Sequence, residues 1–275
     1  MSRAPEDENL KQAVHDFWNA ASCGEIYAKG GTERERLETQ AQARYQLEPY
    51  IHRLARFEEG RGKDILELGV GMGADHLEWA RSGPRSLTGV DLTSRAIAHT
   101  RRRLELFGYT CSLGVGDVEN LPFHDASFDI VYAWGVLHHT PNTEQAVREV
   151  RRVLRPGGTA LVLVYHRYSM VGYMLWMRYA LLAMRPFTSL SEIYAKCLES
   201  PGTKAYTCAE AVQLFSGFSR VETYVQLSFG DLLEGGVGQC HPGLALYIAR
   251  RLWPRWIVKH LLANHGLGLF IEAVR

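Results

Sequence analysis

Three glycines fall at alternate positions in Glu67-Leu68-Gly69-Val70-Gly71-Met72-Gly73, closing the apolar run Asp64-Ile65-Leu66-Glu67-Leu68. Glycine reaches backbone conformations that cost other residues energy, and it lets a ligand approach the main chain closely. The helix expected after the turn offers unpaired N–H groups at its start, a place for an anionic part of a ligand. A purely structural tight turn would show the same letters. The next acid strengthens the ligand reading: Asp91 ends the following apolar run, eighteen positions after Gly73. That is close to the roughly 20 at which a carboxylate takes ribose hydroxyls. The alternative for Asp91 is a cap on the helix that opens at Thr93-Ser94.

A nicotinamide dinucleotide site would use the same two features, but its fingerprint is G-x-G-x-x-G. Here the third glycine comes one position early, and Glu67 precedes the first. A carboxylate at that point repels a pyrophosphate and attracts a ligand with ammonium and sulfonium charges. The loop therefore favours S-adenosylmethionine over NAD. With such a donor the protein's main task is to hold a nucleophile in line behind the methyl, and orientation supplies about 7–11 kcal/mol in favourable cases. A general base, worth about 10²–10⁴-fold, is needed only where the acceptor keeps its proton. His166 follows the fifth apolar run and titrates near neutrality, so it is a candidate base or else a solvent-facing loop residue. Of His138 and His139, one is expected to face the cofactor pocket and the other to pack. His139 is the second catalytic candidate. His124 and His76 read as surface residues.

These residues need a scaffold, and the apolar periodicity describes one. Short strands are expected at 64–68, 86–91, 111–115, 128–133 and 159–165, with helices at 74–81, 94–107 and 143–154 between them. That alternation implies a parallel sheet covered on both faces. Before it, Leu10, Val14, Phe17, Trp18 and Ala21 make one helical stripe, Cys23-Gly24-Glu25 breaks it, and a charged helix is expected from Thr32 to Phe57. After Tyr165 come an aromatic and Met-rich stretch to about Phe187, a helix at 207–215 and a strand at 221–227. A glycine-rich turn (Gly235, Gly236, Gly238), a helix at 244–262 and a last strand at 267–274 follow. The fold class expected is α/β: a Rossmann-like, seven-stranded, mostly parallel sheet with helices on both faces. Four regions follow: an N-terminal helical lid (1–60), a cofactor-binding core (61–165), a helical cap at the acceptor pocket (166–210) and a C-terminal completion of the sheet (211–275).

The segments ILELGVGMG, GVDLT, GDVENLPFHDASFDIVYAWGVLHHT and VLRPGG resemble the successive motifs of class I methyltransferases, and are most similar to the ubiquinone/menaquinone-biosynthesis-like small-molecule subgroup. The resemblance covers roughly Lys63 to Tyr165. It implies S-adenosyl-L-methionine as cofactor and S-adenosyl-L-homocysteine as product. It places Glu67, Gly69 and Gly71 on the methionine half, with Gly73 completing the loop. Asp91 takes the ribose, Leu92 lies beside the adenine, and Asp117 accepts from the adenine amino group. Val118 or Glu119 supplies backbone contacts, and Trp134 lines the pocket near the methionine moiety. Leu121-Pro122-Phe123 and Arg155-Pro156-Gly157-Gly158 look structural. N-terminal segments in this class fold over the cofactor, which makes Trp18 and Tyr27 candidate lid contacts. The plainer alternative is that Trp18 completes an amphipathic helix on the core.

Tyr168, Tyr173, Trp176 and Met177 belong to a dense aromatic and Met cluster. It either walls an apolar acceptor pocket, packs as core, or forms half of a dimer contact. Residues 252–259, Leu-Trp-Pro-Arg-Trp-Ile-Val-Lys, mix basic and aromatic side chains and suggest a membrane-surface contact, against the alternative of a buried cap. Arg101-Arg102-Arg103 reads as a solvated helix face. The acceptor expected is small and apolar or aromatic, methylated at O, N or C. Thiol or metalloid methylation and non-catalytic cofactor binding are the alternatives.

Composition narrows the field further. With 31 Lys and Arg against 30 Asp and Glu, the chain has no global field for a polyanion, so nucleic acid is a disfavoured partner. Five scattered cysteines without a CxxC pair argue against a disulfide framework or zinc site and for a reducing cytoplasm. The first residues lack an apolar signal segment. The most apolar stretch, Tyr168 to Met184, is interrupted by Arg178 and falls short of the about 20 residues of a membrane span.

Overall fold

The computed structural model describes residues 5–234 and 250–275. Its centre is a seven-stranded sheet in the order β3-β2-β1-β4-β5-β7-β6. The strands are β1 Asp64–Leu68, β2 Ser86–Asp91, β3 Ser112–Val115, β4 Phe128–Trp134, β5 Leu154–Tyr165, β6 Arg220–Gln226 and β7 Gly268–Val274. The first five run parallel, and β7 lies antiparallel between β5 and β6. This is the mostly parallel α/β sheet expected from the sequence.

Period-two alternation along each central strand splits the core into two layers. Leu66, Leu68, Val131, Ala133, Val162 and Ile271 face α6 (Thr143–Val153) and α9 (Cys208–Leu214). Ile65, Ile130, Tyr132, Leu161 and Phe270 face the opposite layer, packed by α3 (Ile51–Ala55) and α4 (Ala74–Arg81). Both faces are dry, which is why the strands read as near-continuous apolar runs.

Several boundaries shift for identifiable reasons. The helix expected over 32–57 is two: α2 (Glu33–Leu47) and α3, parted at Glu48-Pro49, because proline removes a donor and clashes with the preceding turn. α2 starts on a capping box between Thr32 and Glu35. Residues 155–158 bulge from the start of β5, since Phe128 pairs with Leu154 but Ile130 pairs with Thr159. That bulge is the Arg155-Pro156-Gly157-Gly158 turn. The glycine turn at 235–238 and residues 244–249 of the expected late helix lie outside the described residues. The remainder is helical at 250–252 and again over Arg255–Leu261, interrupted at Pro254. Helical segments thus occupy the N-terminal region, the stretch after β5, and the stretch between the last two strands.

Candidate active site

Strands β1, β2, β4 and β5 end on one edge, and the strand order reverses between β1 and β4, the place where α/β sheets bind ligands. A cavity of about 230 Å³ opens there. Its floor is the Gly69–Gly73 loop, Asp91-Leu92-Thr93 after β2, Asp117-Val118 after β3, and Trp134-Gly135-Val136 closing β4. Gly71 has φ of 51° and nothing within 4 Å of where a Cβ would stand, so no side chain comes between its backbone and the open space. At Gly69 a Cβ would meet Val136 Cγ2 at 2.2 Å, so only glycine allows that approach.

Asp91 Oδ1 accepts from Thr93 N and Oγ1, both at 2.9 Å, while Oδ2 accepts from Gly71 N at 3.2 Å. Thr93, not Asp91, caps α5 (Ser94–Phe107) by accepting from Ala96 N. Asp91 thus ties the loop to β2 and also lines the cavity. Burial pushes its carboxyl up, against the hydrogen bonds from Thr93 and Gly71.

The N-terminal helix α1 (Pro5–Ala20) walls one side through Lys11, Val14 and Trp18. Lys11 Nζ reaches Asp117 Oδ2 and Glu119 Oε2, both at 2.7 Å. Trp18 meets His139 edge-on at 5.2 Å, so it packs at the cavity rather than only on the core. Tyr27, in the turn Glu25–Tyr27, is half-buried and does not line the cavity.

Deeper in, Glu67 is buried and its Oε2 meets His76 Nδ1 at 2.9 Å, while His76 Nε2 meets Cys111 Sγ at 3.0 Å. His76 is therefore a fully buried residue, not a surface one. The face of α4 that carries it packs against the sheet, which one-dimensional polarity does not show. Arg103 corrects the reading of Arg101-Arg102-Arg103 as a solvated face in the same way. It is fully buried, with Nε donating to Met72 O at 2.7 Å and a short bond to Gln40, and burial lowers it to about 10. It fastens the glycine loop from below.

Asp75 forms a second buried hub. Its oxygens take Arg44 Nε at 2.9 Å and Nη2 at 2.5 Å, Tyr132 Oη at 2.8 Å and Tyr45 Oη at 3.1 Å. Burial works to raise Asp75, yet Arg44 and the two tyrosines hold it below the usual carboxylate range. Arg44→Met should strand this charge and destabilise the fold by about 3–5 kcal/mol, read by urea unfolding. A loss under about 1 kcal/mol would show the pair to be dispensable.

The two histidine candidates part company here. Leu163 and Tyr165 of β5 line the cavity, so alternation turns Val164 and His166 to the other side. His166 Nδ1 meets Gly266 O at 3.2 Å, the side chain is buried, and it does not reach the cavity. It is a satisfied core histidine. His139 does line the cavity, with Nδ1 near Ser200 Oγ at 2.8 Å and Thr203 Oγ1 at 3.1 Å. Burial, then the charge of Lys204, lowers it to about 3, so it is a neutral wall and a poor base. His138 is fully buried, its ring 4.1 Å from those of His139 and Tyr165.

Sequence reasoning missed Glu199 and Glu48. Glu199 arrives from the segment after α8 (Leu190–Cys197), accepts from Tyr165 Oη at 2.6 Å and lies 3.5 Å from His139 Nε2. Burial pushes its carboxyl up, and the nearby charge of Glu48 adds to this against the Tyr165 bond. Glu48 also rises on burial, against Arg44, and accepts from Tyr50 Oη at 3.0 Å. Neither has a motif; the Pro next to Glu48 was the only local signal.

The aromatic and Met cluster is not the cavity wall. α7 (Met170–Trp176) and the π turn Met177–Leu181 bury Leu175 and Ala180 against Ile193 of α8. The opposite face leaves Tyr168 48% and Met177 54% exposed. Tyr173 Oη bonds His265 Nδ1 at 2.9 Å, and Trp176 Nε1 donates to Thr188 O at 2.9 Å. None of the four lines the cavity. Among the described residues no group of three His, Cys, Asp or Glu is placed to hold a metal.

Residues 66–162 match the family described as "Methyltransferase domain". The phthiotriol/phenolphthiotriol dimycocerosates methyltransferase 1 of Mycobacterium ulcerans is 41% identical over 111 residues, 40% of each chain. The fatty-acid O-methyltransferase of Mycolicibacterium smegmatis is 39% identical over 116 residues, 42% of this chain and 41% of that one. The similarity thus spans about two fifths of the length of these curated relatives. A solved phosphoethanolamine N-methyltransferase 2 of Haemonchus contortus superposes with TM-score 0.62 at 17% identity, over 95% of this chain and 60% of that one. These curated relatives are named for dimycocerosate and fatty-acid methylation, not for the quinone subgroup that the motifs resemble. Sheet order, glycine loop and these likenesses together give the chain the class I S-adenosylmethionine-dependent methyltransferase fold.

Proposed function

We propose that the chain is an S-adenosylmethionine-dependent methyltransferase that acts on a hydroxyl of a small, largely apolar, lipid-like molecule. The carrying observation is the cavity's charge. Six carboxylates line it (Glu48, Glu67, Asp75, Asp91, Asp117 and Glu199) against two cations, Lys11 and Arg44. Such a surface opposes a pyrophosphate and suits a cationic nucleoside. The close approach open at Gly71, where no side chain intervenes, and the carboxylates of Asp91 and Asp117 fit a ligand with an apolar-edged nucleoside and hydroxyl- or amine-bearing parts. S-adenosylmethionine, when bound, supplies an activated methyl on a positively charged sulfur. α1, latched by Lys11, excludes water as a lid.

The rest of the wall includes Trp18, Trp134, Leu163, Tyr165 and Cys23, with Glu48 and Glu199. Apolar rings and two carboxylates suit a neutral hydroxyl on an apolar body and oppose an ionised carboxylate acceptor. Glu199 is the general base of this reading, because burial moves its carboxyl toward neutrality while it moves His139 away. Tyr165 and His139 position it. The thiol or metalloid reading loses ground, since of the described cysteines only Cys23 lines the cavity, and a lone thiol offers no converging set.

Labelled methyl transfer to a panel of long-chain alcohols, phenols and sterols tests the activity. Saturable S-adenosylhomocysteine binding with no labelled product would leave a binder and sink the enzyme reading. Binding should also release protons. Glu67 and Asp91 sit above their usual values in the protein alone, and an arriving cation favours their ionised forms. Calorimetry in buffers of different ionisation enthalpy should show net proton release between the usual carboxylate range and neutrality. Release should fade above the raised values, where the groups are already ionised. Proton uptake on binding would contradict the assignment.

A further inference from the structure

Residues 166–191 and 250–262 contain no acidic residue, although acids and bases nearly balance over the whole chain. The two stretches are held together. Asp231 accepts from Val171 N at 3.1 Å through its carboxylate and from Trp253 Nε1 at 2.9 Å through its carbonyl, and Tyr173 meets His265. Their own core is already complete, with Leu175, Ala180 and Val258 buried. Yet among the described residues they hold ten of the fourteen exposed large hydrophobic side chains. Residues 181–187 are exposed without a break, Met184 at 88% and Phe187 at 99%, and in the second stretch Leu252 is 76% and Trp256 67% exposed. Exposed cations, Arg178, Arg185, Arg251 and Lys259, are interspersed with them, Lys259 beside Glu234 at 3.1 Å.

We propose that these two insertions form a docking surface for an anionic phospholipid bilayer, with Phe187, Met184 and Trp256 entering the interface and the arginines meeting headgroups. Apolar patches of this extent on one region mark an interaction site. Charge selects the occupant. A second copy meeting this face through two-fold symmetry would bring like cations together, whereas an anionic headgroup layer complements them. The contact lies in the plane of the membrane, since no described helix is long and apolar enough to cross one. The inference needs neither cofactor nor acceptor, so its failure leaves the methyl-transfer reading untouched.

The full chain should co-sediment with phosphatidylcholine vesicles containing phosphatidylglycerol about tenfold more strongly than with phosphatidylcholine alone, and added salt should weaken this. Phe187→Asp with Trp256→Asp should abolish binding. Arg178→Glu with Arg185→Glu, which spares the apolar contacts, should weaken it about tenfold or more. Equal partition onto both vesicle types overturns the proposal. So does anionic binding that survives both variants, or a dimer in ultracentrifugation that Phe187→Asp dissociates.

Discussion

Glu199→Gln should lower turnover about 10²–10⁴-fold while leaving S-adenosylhomocysteine affinity nearly unchanged. The carboxyl lies in the cavity, held by Tyr165 Oη at 2.6 Å and raised by burial. A base must be ionised to take a proton. Wild-type rate should therefore fall as pH drops through the raised value, and the glutamine variant should lose that limb. His139→Asn provides the contrast: a ring lowered to about 3 is neutral throughout an ordinary assay, so it should contribute no limb there. Steady-state rates against pH, with affinity measured separately, check both. A variant with wild-type kcat and an intact limb would remove Glu199 from proton transfer and leave orientation by Tyr165 and Trp134 as the main catalytic device.

Asp91→Ala should weaken S-adenosylhomocysteine binding about 10–100-fold, the range for losing hydrogen bonds to a charged acceptor. Two effects add in this variant. The ligand loses a carboxylate, and Gly71 N and Thr93 N lose the acceptor that joins the loop to β2. Asp91→Asn keeps a carbonyl oxygen and should recover part of the loss. Calorimetric titration of both, beside thermal unfolding of the proteins without ligand, separates the contact from loop order. Unchanged affinity in the alanine variant would mean that Asp91 serves only the turn.

The two experiments probe different parts of one cavity. Glu199, Glu48, Cys23 and Tyr165 interact electrostatically with one another, and Asp91 with Asp117 closes the neighbouring strands β2 and β3. Loss of turnover without loss of affinity in one variant, and the reverse in the other, would assign the first group to the acceptor and the second to the cofactor.

Local pattern alone determined the mostly parallel sheet, the glycine turn, the place of Asp91 at the end of β2 and the N-terminal helix carrying Trp18. Each depends on neighbours within a few residues: alternation along a strand, turn residues after it, a stripe at helical spacing. Burial and the partners of lone polar residues were decided only in three dimensions. His166 reads as a base at a strand end, but both faces of β5 are apolar, so one-dimensional sequence cannot say which parity meets the cavity. Tyr165 does, and His166 turns to Gly266. His76 and Arg103 sit on helices whose polar letters suggest solvent, and both are fully buried, His76 between Glu67 and Cys111 and Arg103 under the glycine loop. Glu199 and Glu48 stand 151 positions apart in the numbering and meet only because the segment after β5 and the end of α2 close on the same space. Contacts of that kind arise from chain closure over long separations, and no local spacing encodes them.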